Sequence, residues 1–211
     1  MHPFLPPTNT PIDIIYFALL DLLTPIKMLL DDWTSAPHTT AGVYVEMGDI
    51  DGYTEAGAVL SDDDVYRYLL WRVWDAEKPT VAYVMCNPST GRGTANDRTL
   101  DRCTTFARNE GSGGMVVGNL FALRSKDPNA LRTADDPVGP ENDRFLTALG
   151  NEIESIVAAW GGAGQKFGRP AAVVEMLPAE LYIIRENGDG SPQHPLYAPQ
   201  DTELMRWRPE L

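Results

Sequence analysis

Four stretches of almost unbroken apolar residues punctuate the chain: TVAYVMC (80–86), MVVGN (115–119), SIVAAW (155–160) and LYIIR (181–185). Short apolar runs bounded by polar turns read as strands buried on both faces. A helical period lies between the first two, over about 98–109, with Leu100, Cys103, Thr104, Phe106 and Ala107 on its inner face. GSGG ends it. A second helix is expected from about Glu141 to Gly150, and a third over about 165–177, unsettled by Pro170. Strand and helix therefore alternate, which predicts a parallel sheet with helices on both faces. Upstream, VYVEM and GAVL read as short strands, and the aromatic alternation of YRYLLWRVW favours a strand over a helix. A short last helix is expected in the tail. The predicted fold is a three-layer α/β/α sandwich with a mainly parallel central sheet of about four core strands. Short antiparallel strands and an N-terminal helical appendage complete it.

Residues 1–40 form that appendage, and 41–211 a single α/β domain. The opening is rich in proline. It leads into PIDIIYFALLDLLTPIKMLLDDW, which is apolar on most faces and must pack against its own domain or a second subunit. A homodimer through this segment is one expectation. Asp13, Asp21, Pro25 and Lys27 interrupt the segment, so it lacks the uncharged length of a membrane span. No positive residue precedes it, as a signal peptide would require. Two cysteines, Cys86 and Cys103, are too few for a disulfide framework, and the expected compartment is the cytoplasm.

The net charge of −13 changes the picture of partners, because the chain as a whole repels phosphate. The charge is uneven. Between residues 90 and 132 seven basic residues face four acidic ones, a local excess of three positive charges. Either these are scattered surface arginines, or Arg92, Arg98, Arg102 and Arg124 serve an anion such as phosphate. Asp49, Asp51 and Glu55 lack the calcium-loop spacing, and no Cys/His set has zinc spacing, so no metal and no cofactor are expected.

In a parallel sheet, ligands bind beyond the carboxyl ends of the strands. Three such ends carry chemistry. Asn87 precedes Pro88, which holds it extended, so that its amide can serve a ligand or a water, or cap a turn. Ser89 and Cys86 are nucleophiles only with a base beside them. Asn119 ends a buried strand, a costly place for an amide unless it finds partners. It either presents a donor and an acceptor to a nucleobase edge or ties down the next loop, and Phe121 beside it could stack on a ring. His194, followed by Pro195, lies after the last strand, where it could shuttle a proton or sit on the surface.

YRYLLWRVW, NPST, TLDRCTTFA, GNLFALRSKDP, DPVGPEND, AAWG and HPLY together resemble the bacterial and phage family known as domain of unknown function 1643, over about residues 57–207. That resemblance implies no activity. The order Asn87-Pro88, Asn119, His194-Pro195 is similar to the strand-end motifs of the uracil-DNA glycosylase superfamily. This second resemblance implies an Asn that positions water, an Asn that reads the base and a His that stabilises the leaving base. It departs in its short Asn87–Asn119 spacing, in Leu196-Tyr197 after the His-Pro pair, and in its acidity.

The expected function is hydrolysis of an N-glycosidic bond to a nucleobase in DNA or a nucleotide. Asn87 and His194 would be catalytic, with Asn119, Phe121, Pro88 and Ser89 around the base. A non-catalytic nucleotide or modified-base binding module is the alternative. A Ser89 or Cys86 hydrolase using His194 is the second. Nucleic acid or a nucleotide is the expected partner.

Overall fold

A computed structural model describes residues 42–89, 91–127, 129–177 and 180–208. The appendage, and with it the expected dimer segment, lies outside the described residues. The elements are β1 (Val43–Gly48), β2 (Glu55–Ser61), β3 (Arg67–Val73), β4 (Thr80–Met85), α1 (Arg98–Asn109), β5 (Gly114–Asn119), α2 (Ala130–Thr133), α3 (Asn142–Glu152), β6 (Ser155–Ala158), α4 (Gly161–Gln165), α5 (Arg169–Met176), β7 (Leu181–Ile183), a 3₁₀ turn (Pro195–Tyr197) and β8 (Met205–Arg206).

The strands form one sheet in the order β1-β2-β3-β5-β4-β6-β7-β8. This corrects the expected fold. The sheet is mixed and has eight strands among the described residues, not a mainly parallel core of about four. Four of its seven pairings are antiparallel: β1–β2, β2–β3, β3–β5 and β7–β8. The parallel pairings are β5–β4, β4–β6 and β6–β7. The loops joining β1 to β2 and β2 to β3 are too short for a crossover and permit only antiparallel return. β3 then docks on β5, so the upstream strands extend the main sheet. At the other edge, the expected last helix is replaced by the 3₁₀ turn and β8.

Helix α1 packs on one face of the sheet, burying Leu100, Cys103, Phe106 and Ala107 against Tyr83, Met115 and Val117. Asp97 starts it, its Oδ1 accepting the N–H groups of Thr99 and Leu100. Helices α3 and α5 cover the opposite face, through Phe145, Leu146, Leu149 and Val173. The expected third helix is two pieces, α4 and α5, separated at Gly168, whose φ of 67° is left-handed. The chain passes from β4 to β5 over one face and from β5 to β6 over the other. This opens a crevice at the carboxyl ends of β4 and β6, where α/β sheets take ligands.

One irregularity re-aims a buried charge. Val59 pairs with Leu69, but Leu60 pairs with Arg67, so Tyr68 is an extra residue in β3. Tyr68 and Leu69 both pack on the α3 face, while Leu70 packs on the α1 face. The bulge restores Arg67 to the α1 face, beside Leu60, where unbroken alternation would have turned it away.

Candidate functional site

Two neighbouring cavities occupy the crevice, with Cys86, Asn87 and His194 as common walls. The larger, about 240 Å³, is chiefly apolar and is bounded by Leu131, Trp160, Phe167 and Tyr197, with the Gly161-Gly162 backbone between. The smaller, about 120 Å³, is polar and takes in Arg67, Ser89, Asp97 and Thr99.

Asn87 is half-buried just past β4. Its Nδ2 donates to the carbonyls of Ser125 at 3.0 Å, Pro88 at 3.2 Å and Leu123 at 3.4 Å. The amide is therefore fixed by its nitrogen end, and Oδ1 is the end left uncommitted. Pro88 is buried behind it, its carbonyl held by the N–H of Ser125.

His194 caps the 3₁₀ turn, with Nδ1 accepting the N–H of Leu196 at 3.3 Å. In the neutral ring the proton then resides on Nε2, which is the donor. Burial pushes the His194 pKa down from 6.5, and the charge of Asp97 only partly offsets this, so the neutral ring is favoured. Gly161 lies against the loop in a left-handed conformation, φ 69°, that favours glycine, and a Cβ there would be in ordinary contact with the His194 Cβ at 3.4 Å.

The remaining sequence candidates divide. Ser89 lines the polar cavity, but its hydroxyl donates to Asp97 Oδ2 at 2.8 Å, which engages it away from the imidazole. Burial pushes the Cys86 thiol up to about 11, which leaves it protonated at neutral pH. Asn119 and Phe121 are buried and line neither cavity. Phe121 belongs to the core and meets Phe167 edge-on at 5.3 Å, so Phe167 is the ring that reaches the apolar cavity. Both amide atoms of Asn119 are buried without a protein partner. In register Asn119 sits opposite Met85, a wall of the polar cavity.

Of the predicted phosphate ligands, Arg92 pairs with Asp64 and Glu46, and Arg124 pairs with Asp64, on the surface. Arg102 donates to the carbonyls of Pro195 and Ala198, bracing the His194 loop. Arg98 is exposed, and with Arg102 and Leu196 it lines an open cleft of about 480 Å³. Among the described residues no group of three or more His, Cys, Asp or Glu side chains could hold a metal ion, and no helix is long and apolar enough to cross a membrane.

Sequence reasoning missed Arg67, Asp97, Trp160 and Phe167. Arg67 had a visible signal, a charge inside the otherwise apolar VYRYLLWRVW. It is 2% exposed, and β3 carries a second buried arginine for comparison. Arg72 is well satisfied, donating to Asn96 Oδ1 and to the carbonyls of Trp71, Arg92 and Ala95. It staples the 92–96 loop onto the sheet. Arg67 donates through Nη1 to the Gly91 carbonyl at 2.5 Å, while its Nε is buried without a partner. Burial pushes its pKa down to about 10, so it is still charged at neutral pH.

Residues 67–196 match a family described only as protein of unknown function, DUF1643. The chain belongs to that family. The matched span of DUF1643 opens on Arg67 and takes in His194, so it encloses every cavity-lining residue named above except Tyr197. No curated protein matches the chain, and no solved structure matches it. The glycosylase resemblance accordingly rests on three motifs alone.

Proposed function

We propose that this DUF1643 protein binds a nucleobase in the apolar cavity and hydrolyses the N-glycosidic bond that joins it to its sugar. One observation carries the reading: Asn87 and His194 are walls common to an apolar cavity with aromatic sides and a polar cavity beside it. A cavity of ~150 Å³ accommodates benzene, so about 240 Å³ suits a heterocyclic base. Trp160 and Phe167 offer it rings, and the scissile bond would lie between the two chambers.

Asn87 Oδ1 accepts a hydrogen bond from the attacking water and orients it toward the sugar carbon. The C–N bond breaks, its electron pair leaving with the base. His194 Nε2–H donates to the atom where that negative charge develops. Water oxygen bonds to the sugar carbon, its proton passing to solvent, and the departing base takes a proton in return. Asn87 is too weak a base to deprotonate water early, which suits a reaction in which bond cleavage runs ahead of attack.

The test is release of free base, followed chromatographically, from nucleosides, nucleotides and oligonucleotides bearing uracil, 5-hydroxymethyluracil and other modified bases. His194→Asn is the informative variant, because the Asn oxygen can still cap Leu196 while the Nε2 donor is gone. Release should fall ~10²-fold or more in His194→Asn and in Asn87→Ala. Folded wild-type protein that releases no base from any of these would replace hydrolysis by binding alone.

A further inference from the structure

We infer that the polar cavity is a sugar subsite and that the substrate is a monomeric nucleoside or nucleotide rather than a base within duplex DNA. The inference rests on the base-binding reading above and adds what the second chamber recognises.

Arg67 and Asp97 face this cavity together, yet they form no ion pair with each other. Asp97 spends Oδ1 on the start of α1 and Oδ2 on Ser89, and a carboxylate retains further acceptor sites. Arg67 holds a buried, unpartnered Nε–H. A group that fits between them must accept from a guanidinium and donate to a carboxylate. A hydroxyl does both. A phosphate or carboxylate satisfies Arg67 but is repelled by Asp97, and an ammonium has the reverse fault. The opposed charges make the chamber close to neutral, which again suits a polyol. At about 120 Å³, and sharing Asn87 and His194 with its neighbour, it has room for a furanose ring.

Placement of the predicted phosphate ligands agrees, with the exposed Arg98 the exception. A duplex binder neutralises phosphates with free Lys and Arg. Arg92 and Arg124 are held by Asp64, Arg102 is held by backbone carbonyls, and the chain carries a net charge of −13.

Binding can be measured separately from turnover by titrating the full-length His194→Asn protein with uracil, uridine, 2′-deoxyuridine, 2′,3′-dideoxyuridine and thymidine, with the adenine and guanine counterparts, and with uracil-bearing duplex oligonucleotides. A nucleoside should bind at least ~10-fold more tightly than its free base, and loss of the 2′ and 3′ hydroxyls should erase the gain. Asp97→Asn, added to this background, should erase it too. Asn caps a helix as well as Asp does, so the added change tests the carboxylate rather than the fold. Dideoxynucleosides that bind as tightly as their hydroxylated parents would overturn the sugar subsite while leaving base binding in place. So would a nucleoside gain that survives Asp97→Asn. Duplex that binds more tightly than every monomer would overturn the monomeric substrate. Failure of every base, nucleoside and duplex to bind the folded protein would overturn the base-binding reading, and this inference with it.

Discussion

The buried amide of Asn119 shows what a single side chain can reveal. Oδ1 and Nδ2 are both enclosed without a protein partner, an arrangement that costs about 1–3 kcal/mol. Asn119→Leu keeps the approximate shape and removes that cost. The variant should therefore melt higher, by ~2–4 °C for each kcal/mol recovered. A lower melting temperature in a thermal scan would mean that the native amide is satisfied after all. His194 gives a pH prediction. Its folded pKa lies below 6.5, so between the folded value and 6.5 the unfolded chain binds the proton that the native state refuses. The stability this residue contributes is intact above about 6.5 and is lost as pH falls through the folded pKa. Protonation also sets a second donor against the Leu196 N–H. Wild-type melting temperature should therefore drop faster than that of His194→Asn between about pH 7 and 5. Parallel curves would remove His194 from the acid sensitivity.

Among the elements, the junction of β6 and α4 is the most sensitive. Gly161 adopts a left-handed φ at the point where the His194 loop touches it, and its N–H donates to the Pro192 carbonyl at 2.9 Å. A side chain there meets backbone strain of about 1–2 kcal/mol, and relieving that strain would shift the backbone that the His194 loop touches. Gly161→Ala should lower the melting temperature and reduce base release more than stability alone explains. Equal activity per folded molecule would show that the loop has room to move. Strand β3 makes the complementary point. Its bulge at Tyr68 keeps Arg67 on the cavity face; because Tyr68 is the extra residue, deleting it would leave Arg67 opposite Leu60, whereas regular alternation through Tyr68 would carry Arg67 to the α3 face.

For the whole molecule, the acidic surface and the internally paired arginines set the response to salt. A protein that neutralises six to ten phosphates loses ~10³–10⁵ in affinity between 50 and 200 mM salt. With a monomeric nucleotide in an enclosed site, affinity should change by less than ~10-fold over that range. A steep slope in a fluorescence titration would point instead to phosphate contacts spread along a polymer. The eight-stranded sheet also ties the site to the upstream hairpins. β3 supplies Arg67, and β2 supplies the Leu60 that pairs with it, so the cavity depends on strands distant in sequence from Asn87 and His194.

Much of this was legible in one dimension. The period over 98–109 gave α1 with its buried face, because amphipathicity is a local property. The apolar runs gave the positions of β4 to β7, and Asn87 and His194 do share a cavity. Sheet order and direction were not legible, because an apolar strand carries no mark of its neighbours. Antiparallel β3 on β5 therefore overturned the mainly parallel sheet that strand–helix alternation suggests. The partners of the site were equally hidden. Periodicity says which residues are buried but not what a buried arginine faces. The bulge that aims Arg67, the pairing that removes Arg92 and Arg124, and the packing that exchanges Phe121 for Phe167 are consequences of tertiary contact alone. Local chemistry thus determined which residues could act, and three-dimensional packing decided which of them meet.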